Sequence, residues 1–127
     1  MGRPPAKDLT DRELEVMHVF WRDHDSSANE ARDLLARDGI DLTYTTVANL
    51  VRALHDKGFL VPINSDRPFR YRPARSREDV SRRLLGDLVQ RVFHGSRAEL
   101  LKQLVQQNKL SAEERTLLER VLKEQGR

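Results

Sequence analysis

One polar face of a single helix carries the side chains best suited to binding chemistry in this sequence. A helix that begins near Thr43 turns about 100° per residue, which places Thr45, Asn49 and Arg52 in one stripe opposite its apolar residues. The threonine can meet a thymine methyl, the asparagine can make two hydrogen bonds to adenine, and the arginine can reach guanine or a phosphate. Asparagine is a poor former of helix interiors, so a purely structural role explains Asn49 less well. The stripe therefore predicts contact with base edges in the major groove of DNA.

Two further residues at the start of this helix have competing roles. Thr46, like Thr45, either contacts a base or satisfies the start of the helix, and for Thr46, which lies nearer the apolar edge, the cap is favoured. Tyr44 either stacks on a sugar or packs against the start of the helix. Both are kept as candidate DNA contacts, Thr46 to a base and Tyr44 to the backbone.

Three arginines surround a predicted turn that follows this helix. The apolar stretches at residues 59–61 and 69–71 flank a turn-forming cluster, which is typical of a β-hairpin. Arg67 lies at the tip, and Arg70 and Arg72 share one face of the second strand. We expect these cations to contact phosphates or the minor groove, which supplies affinity and register but little sequence information. The competing interpretation is that Arg70 and Arg72 protect an exposed strand edge.

The apolar spacing predicts three helices before the hairpin. The first opens with Thr10 and Glu13 at the spacing of a capping box. The second follows a break at residues 25–27 and ends near Gly39, and the third carries the polar stripe. Three helices followed by a basic hairpin are typical of a winged helix-turn-helix. We assign residues 1–75 to this DNA-binding domain.

The following residues, 76–127, predict three more helices with strong apolar stripes and no strand to pack against. An all-helical unit of about 50 residues is marginal alone, so we expect a second copy of the chain to cover these stripes. The fold class is therefore mainly α: a winged-helix domain with a small β-hairpin wing, followed by a helical dimerisation domain. The residues expected at the dimer interface are Leu84, Leu85, Leu88, Leu101, Leu104, Leu118 and Val121.

Charge is unevenly distributed along the chain. Residues 8–41 hold ten acidic residues against four arginines, whereas residues 42–75 hold six basic residues against two acidic ones. A positive field concentrated on one segment is typical of an anion-binding surface. The acidic segment supports a competing hypothesis, a winged-helix module that binds another protein and not DNA, because it would repel DNA unless it faced away.

The composition excludes several classes of site. The chain of 127 residues has no cysteine, so disulfides, thiolate zinc sites and cysteine nucleophiles are ruled out. Its four histidines lack metal-binding spacing, and no Gly-rich phosphate loop occurs, so we expect neither an enzyme nor a metal or cofactor. No apolar stretch approaches the roughly 20 residues of a membrane span, and no secretory signal is evident, which predicts a cytoplasmic protein without membrane insertion.

Short motifs occur in a distinctive order over nearly the whole chain. They are LTDRELEVM at residues 9–17, Trp21, YTTV at 44–47, KGFL at 57–60, RPFRYRP at 67–73, FHGS at 93–96 and LSAEE at 110–114. Together they resemble the penicillinase repressor family, which includes the BlaI and MecI repressors. Any one motif is weak, and the combination is specific.

The resemblance implies a homodimeric transcriptional repressor whose winged helix binds a palindromic operator in double-stranded DNA. It places Thr45, Thr46 and Asn49 at base contacts and Arg67 on the wing. For β-lactam-responsive members it also implies a membrane sensor-protease, which leads to cleavage within the C-terminal domain and loss of the dimer. The bond cleaved in staphylococcal-type members is Asn-Phe, whereas Gln103-Leu104 stands at that place here.

Overall fold

The computed structural model describes residues 9–23 and 25–126, and the chain divides after Leu84 into two compact units. The elements in chain order are α1 (Asp11–Asp23), β1 (Ser26–Ser27), α2 (Ala28–Arg37), α3 (Tyr44–Asp56), β2 (Leu60–Pro62), β3 (Arg70–Pro73), α4 (Arg77–Val92), α5 (Arg97–Gln107) and α6 (Ala112–Gln125).

Side-chain caps mark where the helices of the first unit begin. Thr10 and Glu13 form the predicted capping box: the Thr10 N–H donates to Glu13 Oε1 (2.9 Å), and the Glu13 N–H donates to Thr10 Oγ1 (3.1 Å). A second capping box, between Ser27 and Glu30, opens α2, and the side chain of Thr43 caps α3. The predicted helix starts are therefore confirmed by hydrogen bonds within a few residues.

The strands of the first unit form one antiparallel sheet in the order β1-β3-β2. β2 and β3 are the predicted hairpin, with Val61 opposite Arg72. The predicted wing lacked one strand, because β1 also pairs with β3 and places Ser26 opposite Tyr71. Two serines before a helix carry no strand pattern, so this pairing depends on the fold that brings the start of α2 beside the wing.

The core of the first unit joins the apolar faces of its three helices to the start of the wing. Its buried members are Val16, Met17, Val19, Phe20, Ala31, Leu35, Val47, Val51, Leu54, Phe59, Leu60 and Val80. Those in α1, α2 and α3 lie at the predicted helical spacing, so the amphipathic interpretation of these helices is confirmed.

The first unit extends beyond the predicted domain boundary at residue 75. Val80 is buried in its core, and Leu84 packs against that core as a partly buried side chain. Leu84, which the apolar stripe placed at the dimer interface, therefore contacts the winged-helix core in this structure. The periodicity of α4 alone does not distinguish a residue that packs on its own chain from one that packs on a partner.

The second unit buries little of its apolar surface. No residue of α5 or α6 is buried within the single chain, although Val89 in α4 is. α4 ends at Val92, and the chain then turns through His94 and Gly95, whose φ angles are 50° and 86°. Glycine tolerates such an angle because it has no Cβ. Within the described residues, none of the helices is both long and apolar enough to cross a membrane.

Candidate nucleic-acid interface

The polar stripe of α3 lies on the surface of the first unit. Thr45, Asn49 and Arg52 are all exposed, whereas Val47 and Val51 on the opposite side are buried. None of these three polar side chains has a hydrogen-bond or ion-pair partner elsewhere in residues 9–23 and 25–126. A helix that presents unpaired donors and acceptors on one face, with its other face in the core, is suited to entering the major groove.

The two residues with competing roles at the start of α3 differ in their contacts. The Thr46 N–H donates to Thr43 Oγ1 (3.2 Å), and the Thr43 hydroxyl donates to Thr46 Oγ1 (3.0 Å). The hydroxyl of Thr46 therefore belongs to the helix cap, which agrees with the structural role favoured for it. Tyr44 leaves 50% of its surface exposed beside the stripe, where its ring is open to a ligand.

The wing presents two of its three arginines to solvent. Arg67 at the tip and Arg72 in β3 are exposed, and neither guanidinium pairs with any other residue that the structure describes. At the tip, the side chain of Asn64 forms hydrogen bonds to backbone groups on both sides of Arg67. Arg67 and Arg72 therefore offer cations that an anionic ligand can pair with.

Arg70, the third wing arginine, is engaged within the chain. Its Nη1 donates to Glu30 Oε1 in α2 (2.6 Å), and its Nη2 donates to the backbone oxygen of Asp25 (2.9 Å). The sequence grouped Arg70 with the free cations of the wing because alternation along a strand shows which face a residue lies on, but not its partner. In the structure, Arg70 ties β3 to the segment that opens α2.

Glu30 therefore serves two elements at once. Its Oε1 accepts the Ser27 N–H (2.8 Å) as part of the capping box and also accepts the Arg70 guanidinium. The backbone hydrogen bond from Ser27 is the largest cause that lowers the pKa of Glu30, and the charge of Arg70 lowers it further, against partial desolvation. Sequence reasoning missed Glu30, although the spacing of Ser27 and Glu30 carries the capping-box signal.

A second ion pair holds the end of α3 against α1. Lys57 Nζ lies 2.7 Å from Oε1 of Glu13, a carboxylate whose side chain is only 5% exposed. Burial raises the pKa of Glu13, but the hydrogen bonds from Lys57 and from the Thr10 backbone, with the charge of Lys57, lower it on balance. The sequence showed Glu13 only as part of a capping box and Lys57 only within a short motif, and no pattern linked them across 44 positions.

The connection from the wing to α4 is anchored on the first helix. The indole Nε1 of Trp21 donates to the backbone oxygen of Arg75 (2.9 Å), and the Arg75 guanidinium lies 5.3 Å from the centre of the Phe59 ring. Arg75 is thus held by the core, in contrast to Arg67 and Arg72. Nowhere in residues 9–23 and 25–126 do three His, Asp or Glu side chains form a group that could hold a metal ion.

Comparison with known proteins adds independent findings. A family model described as "Penicillinase repressor" matches residues 9–124. The transcriptional regulator BlaI of Mycobacterium tuberculosis is 32% identical over 118 residues, which cover 91% of this chain and 83% of that protein. The methicillin resistance regulatory protein MecI of Staphylococcus aureus is 24% identical over 115 residues, which cover 91% and 93%.

Solved structures show the same fold at lower identity. RosR of H. salinarum aligns with a TM-score of 0.50 at 15% identity, over 95% of this chain and 96% of that one. A complex of the same protein, designated RosR-S4, aligns with a TM-score of 0.52 at 14% identity, over 98% and 95%. At these identities the likeness concerns the fold alone, a mainly helical winged-helix architecture.

Proposed function

Because this chain belongs to the penicillinase repressor family, whose members are transcriptional regulators and not enzymes, we propose that it is a homodimeric repressor that binds a palindromic operator through its winged helix. The observation that carries the proposal is the exposed stripe of Thr45, Asn49 and Arg52 on α3, whose side chains have no partner among the described residues.

Base recognition is assigned to α3. The short side chains of Thr45 and Asn49 allow the helix backbone to approach base edges closely, and Arg52 is long enough to reach guanine or a phosphate. Thr46 contributes through its methyl group and the helix cap, because its hydroxyl is already bonded to Thr43. These assignments favour direct recognition of bases by two or three side chains in each half of the operator.

Backbone contacts are assigned to the wing and to the start of α3. Arg67 and Arg72 are free to pair with phosphates, and Tyr44 is exposed where a sugar could stack on its ring. Arg70 holds the wing in place through Glu30. Such contacts add affinity and register to any sequence, and they make binding depend on salt.

The dimer is proposed from the apolar surface of the second unit. Ten large apolar residues within the described residues 85–126 each leave 40% or more of their surface exposed, a larger share than a stable monomer is expected to present. They are Leu85, Leu88, Val92, Leu101, Leu104, Val105, Leu117, Leu118, Val121 and Leu122. A second copy supplies a matching apolar face and also brings two winged helices to two half-sites, which makes the second binding event intramolecular.

The proposal is tested by fluorescence anisotropy with DNA from the region upstream of the gene that encodes this chain. Random DNA of equal length is the competitor, and the titration is repeated over a series of salt concentrations. We expect competitor-resistant binding at a two-fold symmetric site. Weak and equal binding to both DNAs would contradict specific repression. An absence of binding even at low salt would favour the competing module that binds another protein.

We further propose that cleavage in the C-terminal unit by a membrane sensor-protease releases the operator. The resemblance places Gln103 and Leu104 where staphylococcal-type repressors are cut at an Asn-Phe bond, and both residues are exposed in the middle of α5. Because the Asn-Phe pair is replaced here, the proposal requires a protease with a different sequence preference. A cut there would separate α6 from the remaining apolar surface. The test is the intact mass of the repressor in cells treated with a β-lactam. A repressor that leaves its operator while its mass is unchanged would contradict this mode of release.

A further inference from the structure

We propose that Asn64 is a positioning residue that orders the wing tip and thereby directs Arg67 toward the DNA backbone. The inference rests on the proposed operator binding, and it adds a residue to which neither the helix spacing nor the resemblance assigned a role. It is drawn from the hydrogen bonds of the wing.

The side chain of Asn64 bridges the turn in both directions. Its Nδ2 donates to the backbone oxygens of Asp66 (3.0 Å) and Pro68 (3.2 Å), and its Oδ1 accepts the backbone N–H of Arg70 (2.8 Å). One amide thus uses both donors and its acceptor on three backbone groups. The backbone oxygens that it binds belong to the residues on either side of Arg67.

Backbone hydrogen bonds between the two strands of the wing extend as far as Ile63 and Arg70 and no further toward the tip. The Ile63 N–H donates to the Arg70 oxygen (2.8 Å), and the hydrogen bonds of Asn64 take over beyond that pair. All residues from Pro62 to Phe69 are exposed, so the tip has no buried side chain to hold its shape. The order of the tip therefore depends on the Asn64 amide.

An ordered tip matters because Arg67 is a long and flexible cation. Its guanidinium has no partner in the described chain, and a phosphate contact requires the loss of side-chain and backbone freedom. A turn whose backbone is already held has less freedom to lose on binding. Asn64 is therefore expected to act on DNA binding through Arg67 and not by touching DNA itself.

The experiment compares Asn64→Ala, Arg67→Ala and the double variant with wild-type protein, with Ser65→Ala as the matched control. Ser65 lies in the same exposed turn and has no side-chain hydrogen bond to another described residue. Operator affinity is measured over a salt series by anisotropy. Hydrogen exchange of the Arg70 amide, whose N–H binds Asn64, is followed on the free full-length protein.

We expect Arg67→Ala to lower the salt slope by about 0.9 for each phosphate that the arginine no longer neutralises. Asn64→Ala should lower the same slope in the same direction and weaken operator binding about 3- to 10-fold. In the Arg67→Ala background, the Asn64 substitution should have little further effect. Asn64→Ala alone should also speed hydrogen exchange of the Arg70 amide without changing the melting temperature of the protein. Ser65→Ala should change neither the salt slope, the operator affinity nor the exchange rate.

Three results would overturn the inference. Unchanged exchange at Arg70 would show that Asn64 does not order the tip, whether or not the protein binds DNA. Operator binding by Asn64→Ala equal to that of wild type would show that order at the tip does not matter. Additive reductions of affinity in the double variant would show that Asn64 acts independently of Arg67. Failure of the wild type to bind its operator would instead reject the proposed function, and the exchange measurement would still decide the role of Asn64 in the fold.

Discussion

The guanidinium of Arg70 in β3 and the carboxylate of Glu30 in α2 lie 2.6 Å apart, and the same carboxylate oxygen accepts the N–H that caps α2. One oxygen atom therefore joins the wing to α2, the helix that precedes α3. Arg70 also donates to the backbone oxygen of Asp25, so the wing is tied to this segment at two points. If the chain binds DNA as proposed, a rigid relation between the wing and the helices favours simultaneous contact with the DNA groove and the DNA phosphates.

The first prediction concerns this link. Arg70→Ala should weaken binding to operator and random DNA by a similar factor, because the wing loses its hold on α2 and base contacts are unaffected. Glu30→Gln removes the charge and keeps an oxygen for the Ser27 N–H, so it should weaken binding in the same direction. Anisotropy with both DNAs measures the effect. If Glu30→Gln bound like wild type while Arg70→Ala flattened the salt slope, Arg70 would contact a phosphate directly.

The second prediction concerns pH. The folded-state pKa of Glu13 lies below its ordinary value of 4.5, on balance because Lys57 and the Thr10 backbone stabilise the carboxylate. The ion pair therefore contributes stability above the unfolded-state pKa, and this contribution is lost as pH falls through the lower folded-state pKa. Urea unfolding between about pH 3 and pH 7 should show that the free energy of unfolding falls more steeply with decreasing pH for wild type than for Glu13→Gln.

The control for this prediction is Glu15→Gln, which removes an exposed ion pair with Arg12 on the same helix. It should leave the acid dependence close to that of wild type, since exposed pairs contribute little to stability. If the free energy of unfolding depended on pH in the same way for wild type and Glu13→Gln, a stabilising role for the pair of Glu13 and Lys57 would be contradicted.

The third prediction concerns base recognition. Asn49→Ala should cost about 1–3 kcal/mol of operator binding and relax the preference at one base pair, as expected for a side chain that bonds a base edge. Binding to random DNA should change little, and it serves as the internal control. Competition between the operator and single-base variants measures the preference. Unchanged discrimination between operator and random DNA would remove Asn49 from the base contacts.

The fourth prediction concerns the dimer. Leu118→Asp places a charge in the apolar face of α6 and should dissociate the dimer, which analytical ultracentrifugation measures directly. Operator affinity should fall by a factor of about 100 or more, because the second half-site is no longer bound intramolecularly. Thr116→Asp, on the other side of α6 by helical spacing, is the matched control. A wild-type protein that sediments as a monomer would reject the dimer.

Local patterns in the sequence predicted most of the individual elements. The helices follow from apolar spacing at three and four residues, and their starts follow from signals such as the capping box of Thr10 with Glu13 and the break at residues 25–27. The exposed stripe of α3 was predictable for the same reason, since the face opposite a buried stripe must point outward. These signals act over a few residues, which a single sequence displays directly.

Tertiary structure decided the contacts between elements. The pairing of β1 with β3, the pairing of Arg70 with Glu30 and the packing of Leu84 on the first core each join segments that are distant in sequence. A periodic pattern shows that a side chain faces a partner, but the identity of that partner depends on how the whole chain packs. The sequence by itself therefore determined the helices and the polar stripe that they expose, and only the folded chain decided which arginines of the wing are free to bind.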